Sequence, residues 1–142
     1  MGFSEAVLSC MRQYVGFSGR AARAEFWWFM LLTAIVVVAS WLANQSDPFL
    51  DQQGLLPAPE TRPGTGFSLT ISLVPLGLLL PALAVAVRRL HDIGRRGWWL
   101  LLHSIPVLGW VMLLVWHCTP GNAGPNRFGA DPQARAYAPR FV

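Results

Sequence analysis

Three long apolar segments, at positions 26–43, 67–87 and 98–118, constrain this chain more than any other feature. At a helical rise of about 1.5 Å per residue, segments of this length cover roughly the 30 Å hydrocarbon core of a bilayer. The sequence therefore predicts an all-α integral membrane protein with three transmembrane helices. All 142 residues belong to one membrane domain in this interpretation.

The composition and the positions of the tryptophans favour a membrane protein over a soluble globular domain. Hydrophobic residues make up 54% of the chain and charged residues 13%, about half the usual share for globular domains. Tryptophans lie near both ends of the first and third segments, as expected for residues at the membrane–water interface: Trp27, Trp28, Trp41, Trp98, Trp99 and Trp116.

Prolines divide two of the three segments. The second contains Pro75 and Pro81, and the third contains Pro106, followed by Gly109. Because proline removes a backbone donor and clashes with the preceding helical turn, we expect the second and third transmembrane helices to be interrupted.

The connecting segments differ in character. Residues 3–15 place apolar side chains at helical spacing, which predicts an amphipathic helix lying in the membrane interface. Residues 44–66 are rich in proline and glycine and predict an irregular external loop, and residues 119–142 predict an irregular tail.

The distribution of arginine predicts the orientation. Every basic residue is arginine; seven lie at or before position 23 or in the segment 88–97, against four in the loop and tail. Since cytoplasmic loops carry the excess of positive charge, we expect a cytoplasmic amino terminus, a cytoplasmic turn at 88–97 and an external carboxyl terminus.

The turn at 88–97 concentrates the polar side chains that could have a function. Its arginines suit phosphate headgroups, and Asp92 offsets part of their charge. An unpaired Glu25 carboxylate in the membrane interface would cost free energy, so we expect Glu25 to pair with Arg20 or with an arginine of the turn. The predicted contacts to anionic lipid or a membrane partner are Arg20, Arg23, Glu25, Arg88, Arg89, His91, Asp92, Arg95 and Arg96.

Other functions receive less support from the sequence. A zinc site normally needs three or four ligands, and His91 and Asp92 supply two, so we expect neither metal nor cofactor. The arginines flank apolar segments, which argues against nucleic acid as a partner. A lipid-modifying enzyme with His91 as base and Asp92 as its orienting group remains an alternative, as does a subunit of an oligomeric transporter or channel for small solutes. The main expectation is a non-catalytic structural or accessory protein.

Three ordered motifs resemble one protein family. They are Gly-Phe-x-Gly-Arg-x-x-Arg-x-Glu-Phe-Trp at 16–27, Arg-Arg-Leu-His-Asp-x-Gly-Arg-x-Gly-Trp-Trp at 88–99, and Gly-x-Asn-Arg-Phe-Gly-x-Asp-Pro at 124–132. The combination is similar to the DUF805 family of small bacterial inner-membrane proteins, although Arg96 stands where many members have a small residue. The resemblance implies a bacterial cytoplasmic membrane protein of a few helices, and it implies no activity. Besides anionic lipid headgroups, the partners that we consider are a second copy of the chain, in a homo-oligomer, and another membrane protein.

Overall fold

A computed structural model describes residues 2–43 and 65–134 of the chain. Its regular secondary structure is helical, apart from an isolated antiparallel bridge between Asn126 and Gly129. The elements in chain order are α1 (Phe3–Arg12), α2 (Arg23–Ala43), α3 (Thr65–Asp92), a 3₁₀ helix (Gly97–Ser104) and α4 (Leu108–Cys118).

The chain divides into two compact units, one formed by Met1–Leu31 with Leu80–Val142 and the other by Leu32–Leu79. The second unit contains the carboxyl-terminal half of α2 and the amino-terminal half of α3, and its described surface is largely apolar. Two stretches, Arg23–Leu42 and Leu73–Asp92, are long and apolar enough to cross a membrane. Most of the predicted external loop, positions 44–64, lies outside the described residues.

The amino-terminal helix is present but shorter than predicted, ending at Arg12 rather than at position 15. Its first turn is capped by Glu5, whose carboxylate accepts the Gly2 N–H at 2.9 Å. Ala6 and Cys10 are fully buried, while the larger apolar side chains Phe3, Leu8 and Met11 stay exposed. The placement of α1 in the membrane interface stays a prediction.

Helix α3 is continuous, so the interruption predicted at Pro75 and Pro81 is wrong. Each proline removes only one backbone donor, and the remaining hydrogen bonds preserve the helix across both positions. The helix also extends to Asp92, so residues 88–92 of the predicted turn are helical and the connection to the 3₁₀ helix is only residues 93–96.

The third predicted transmembrane helix, 98–118, is interrupted at Pro106, as predicted, but it forms a hairpin of two short legs, so a third membrane-crossing helix is not confirmed. The 3₁₀ helix ends at Ser104, and Leu108 N–H donates to Pro106 O at 2.8 Å in a turn that places Val107 at φ 63°. The legs lie so close that a methyl group on Gly109 would be 1.9 Å from Leu102 O.

The base of this hairpin packs on the end of α3. Leu90 of α3 forms a buried apolar cluster with Leu113 and Trp116 of α4. The rings of Trp99 and Trp116, one from each leg, meet edge to face with centroids 5.3 Å apart. The two ends of the hairpin therefore lie together, whereas a single crossing would separate them by about 30 Å.

The tail also differs from its prediction as an external segment. Its described part, residues 119–134, contacts the segment before α2 and the end of α3. The prediction that the tail and the arginine turn lie on opposite sides is therefore wrong for these residues, because the chain returns through the hairpin.

Candidate functional site: a buried arginine cluster

The candidate site joins side chains from three separate parts of the sequence. Arg88 and Arg89 lie in the last turns of α3, where the negative end of the helix dipole favours cations. Asp92 ends the same helix, Glu25 lies in the first turn of α2, and Arg20 precedes α2. We call the assembly of residues 3–25, 88–97 and 118–131 the arginine-rich end.

Asp92 is held by two arginines. Arg20 Nε donates to Asp92 Oδ1 at 2.9 Å, and Arg89 Nη1 pairs with Asp92 Oδ2. Arg20 also donates to the backbone oxygens of Asn122 and Gly124, each at 2.5 Å. Hydrogen bonds to several acceptors offset the cost of removing these charges from water.

Glu25 pairs with Arg88, so of the two predicted partners, Arg20 or an arginine of the segment 88–97, the structure selects the second. Arg88 Nη1 lies 3.0 Å from Glu25 Oε1 and 3.0 Å from the side-chain oxygen of Gln13. Glu25 also accepts the Ser9 hydroxyl at 3.0 Å, so α1 is fixed to α2 through the same carboxylate.

Cys10 lies beside this pair, with its Sγ 3.7 Å from Glu25 Oε1. Burial, reinforced by the charge of Glu25, raises the pKa of the Cys10 thiol to about 12. Cys10 is therefore a neutral, unreactive thiol at physiological pH.

The carboxyl end of α4 is capped by arginine. Arg89 donates from Nε to His117 O at 3.2 Å and from Nη2 to Thr119 O. Arg23 Nη1 lies 3.4 Å from Cys118 O. These guanidinium groups donate hydrogen bonds to carbonyls that have no partner within the helix. Their positive charge also interacts favourably with the negative end of the helix dipole.

Amide groups of the tail cap the carboxyl end of α3. Asn122 N–H donates to Asp92 O at 2.9 Å, and Asn126 Nδ2 donates to His91 O at 2.9 Å. Ala21 N–H donates to Arg88 O at 3.1 Å from the other side. The carboxyl ends of two helices are thus closed by side chains and loops of the same cluster.

His91 and Asp92 do not form the acid–base pair that the enzymatic alternative requires. Both Asp92 oxygens accept from arginines, and His91 Nδ1 lies 3.1 Å from Gly19 O. The imidazole also stacks on Phe128, with centroids 4.0 Å apart and parallel planes. In this geometry Asp92 orients Arg20 and Arg89, and His91 holds the tail through its contact with Phe128.

Burial separates the nine predicted contact residues into three groups. Five are buried in the ion pairs described above and cannot present charge to a headgroup: Arg20, Glu25, Arg88, Arg89 and Asp92. His91 and Arg95 are half-buried, and the Arg95 guanidinium lies 3.8 Å from the centre of the Trp116 ring. Arg23 and Arg96 are exposed.

Several partners in this cluster were not predicted from the sequence. Ser9 and Cys10 of α1 contact Glu25, and Gln13 after α1 contacts Arg88; their spacing in the sequence gave no sign of a polar contact. Asn126 and Phe128 belong to the third motif of the family resemblance, which could have indicated that the tail packs against His91.

A cavity of about 790 Å³ borders the cluster between Asp92, Arg23 and the tail residues 120–125, Ala130, Asp131, Gln133 and Ala134. At its edge Asp131 accepts the N–H groups of Gln133 and Gly124, which lower the pKa of its carboxyl group. Within residues 2–43 and 65–134, no group of three or more histidine, cysteine or acidic side chains is placed to hold a metal ion.

Comparisons with known proteins agree with the motifs. The family model described as "Protein of unknown function (DUF805)" matches residues 14–130. The chain is 41% identical over 130 residues to inner membrane protein YhaI of Escherichia coli strain K12, covering 89% of this chain and 93% of that protein. Inner membrane protein YhaH of the same strain is 37% identical over 126 residues, covering 89% and 94%.

No solved structure matches the chain. Two of its helices are long and apolar enough to cross a membrane, and its relatives are named as inner membrane proteins. The chain is therefore an integral membrane protein that belongs to the DUF805 family.

Proposed function

We propose that this protein is a non-catalytic structural or accessory component of the bacterial cytoplasmic membrane, and that its arginine-rich end faces the cytoplasm and binds anionic phospholipid headgroups. The observation that carries the proposal is that some arginines of this end are buried in ion pairs and others are exposed to the surroundings. Arg20, Arg88 and Arg89 are buried and paired, whereas Arg12, Arg23 and Arg96 are exposed. Arg23 and Arg96 also lie close in sequence to exposed tryptophans.

The tryptophans support a position at the membrane surface. Trp27 and Trp28 at the start of α2, and Trp98 and Trp99 at the base of the hairpin, are all exposed. Their amphipathic rings favour the headgroup level, where the neighbouring arginines meet phosphate. Each arginine near an anionic surface contributes about 1 kcal/mol to binding.

The charge distribution supports the cytoplasmic side. Eight arginines fall within the arginine-rich end: Arg12, Arg20, Arg23, Arg88, Arg89, Arg95, Arg96 and Arg127. Cytoplasmic segments of membrane proteins carry such an excess. With the tail in contact with this end, both termini are expected inside. A carboxyl-terminal alkaline phosphatase fusion should be inactive and a green fluorescent protein fusion fluorescent; the opposite result contradicts this orientation.

Headgroup binding is tested by the lipids that remain with the protein. The protein is purified from bacterial membranes in a mild detergent, and the bound phosphatidylglycerol, cardiolipin and phosphatidylethanolamine are quantified by mass spectrometry. The double variant Arg23→Gln/Arg96→Gln should bind the anionic lipids about tenfold or more weakly, at about 1 kcal/mol for each arginine.

The matched control is Arg62→Gln, which removes an arginine from the loop predicted on the other side of the membrane. It should leave the anionic lipid content unchanged. Equal retention of anionic lipid by the wild type, the double variant and the control contradicts the proposal.

A further inference from the structure

The hairpin formed by Gly97–Ser104 and Leu108–Cys118 has the dimensions of a segment that enters a membrane without crossing it. The 3₁₀ leg of 8 residues is about 16 Å long at a rise of about 2 Å per residue. The α4 leg of 11 residues is also about 16 Å long. Both legs therefore cover about half of the 30 Å hydrocarbon core.

The outer surface of the hairpin is largely apolar along both legs; the exposed polar side chains of the first leg are Ser104 and His103, whose Nδ1 lies 3.1 Å from Leu100 O. Leu101 is 66% exposed on the first leg, Leu108 is 72% exposed on the second, and Val107 at the tip is 69% exposed. Such a surface is unfavourable in water and suits lipid acyl chains.

Several backbone hydrogen bonds at the tip are formed within the hairpin itself, which suits an apolar surrounding. Ile105 N–H donates to Leu102 O at 3.0 Å, and Gly109 N–H donates to Ile105 O at 3.1 Å. Pro106, the residue at the reversal, has no N–H to satisfy. The indole N–H of Trp110 is satisfied by His103 O at 3.1 Å.

The base of the hairpin, where its two legs begin and end, carries charged and aromatic side chains. Arg95 lies over the Trp116 ring and close to Trp99, with its guanidinium carbon 3.8 and 5.8 Å from the ring centres. Arg96 beside it is exposed, and Arg89 binds the last carbonyls of α4. Arginines at one end, with mainly apolar side chains at the other, match one interface and one leaflet of a bilayer.

We propose that residues 97–118 form a re-entrant hairpin that is embedded among the acyl chains of the single leaflet next to the arginine-rich end. The hairpin enters and leaves the membrane on the same side. The inference concerns contact with acyl chains, and it does not depend on headgroup binding or on which side the arginine-rich end faces.

Single-cysteine variants of the full-length protein test the inference in its native membrane. Both natural cysteines are replaced by serine, and one cysteine is returned at the tip as Val107→Cys, on a leg as Leu101→Cys, or at the base as Arg96→Cys. A fourth variant retains the natural Cys118. Labelling by a membrane-impermeant maleimide is compared between spheroplasts and inside-out vesicles.

We expect positions 96 and 118 to be labelled from the same side. The tip and leg cysteines should react more than about tenfold more slowly from both sides, because a thiol in hydrocarbon does not form the reactive thiolate. All positions should react after solubilisation in denaturing detergent.

Two outcomes overturn the hairpin. Labelling of positions 96 and 118 from opposite sides shows that the segment crosses the membrane. Rapid labelling of the tip from either side shows that it lies in water. Since Val107 occupies a strained backbone position, Ile105→Cys serves as a second tip variant and must give the same result as Val107→Cys.

Discussion

Arg88 and Glu25 form an ion pair across 63 residues of sequence, with Nη1 3.0 Å from Oε1 and side-chain exposures of 1% and 5%. The pair joins the last turns of α3 to the first turn of α2, and Ser9 and Gln13 attach α1 to the same two groups. One buried contact therefore fixes the relative positions of three helix ends.

Removing one partner of this pair should cost nearly as much stability as removing both. Glu25→Gln or Arg88→Gln leaves a buried charge without its counterion, and each should lower the free energy of unfolding by about 3–5 kcal/mol. The double variant should lose clearly less than the sum of the two. Unfolding of the purified protein in detergent, followed by circular dichroism, measures all three.

Arg96→Gln is the control for this double-mutant cycle, because Arg96 is exposed on the same end of the molecule. Its effect should stay within about 0.5 kcal/mol. Strict additivity of the Glu25 and Arg88 variants would show that the two side chains do not interact.

The two cysteines should differ in reactivity. Cys10 is buried with a pKa raised to about 12, whereas Cys118 is exposed. At pH 8 in detergent micelles, a maleimide should modify one thiol per chain, at Cys118, and mass spectrometry of peptides identifies the site. Rapid modification of Cys10 in the folded protein would contradict the contact with Glu25.

The same thiol should make the fold sensitive to alkali. Because the folded pKa of Cys10 is raised, its contribution to stability is complete below the ordinary value of 9.0 and is lost as the pH rises towards about 12. Between pH 9 and 12, the free energy of unfolding should fall less steeply with pH in Cys10→Ala than in the wild type.

Gly121 allows the tail to lie against Asp92. A methyl group at this position would be 2.1 Å from Asp92 Oδ2, and Asp92 cannot turn away without breaking its bonds to Arg20 and Arg89. Gly121→Ala should lower the free energy of unfolding by about 1–3 kcal/mol and increase proteolysis of the tail.

Gly2→Ala is the matched control for this substitution, since its new methyl group would meet no atom within 4 Å. It should behave like the wild type in both measurements. An unchanged rate of tail cleavage in Gly121→Ala would show that the tail does not depend on the contact with Asp92.

The buried arginine cluster was only partly visible in the sequence. The need of Glu25 for a cationic partner follows from the cost of an unpaired carboxylate, and Arg88 supplies that partner. Arginines that bind headgroups and arginines that bind carboxylates look the same in a sequence. Burial, which depends on the packing of the tail and α1, separates Arg20, Arg88 and Arg89 from Arg23 and Arg96.

The sequence by itself determined the helical, membrane-embedded class of this protein, because the length and apolarity of a segment are local properties that match the thickness of a bilayer. Only the tertiary structure decided that residues 97–118 turn back at Val107 and that the tail returns to α3. The 22 mostly apolar residues of this segment have a composition that suits one membrane crossing as well as two half-length legs. The close approach of Gly109 to Leu102, and the binding of Arg89 to the end of α4, select the second arrangement.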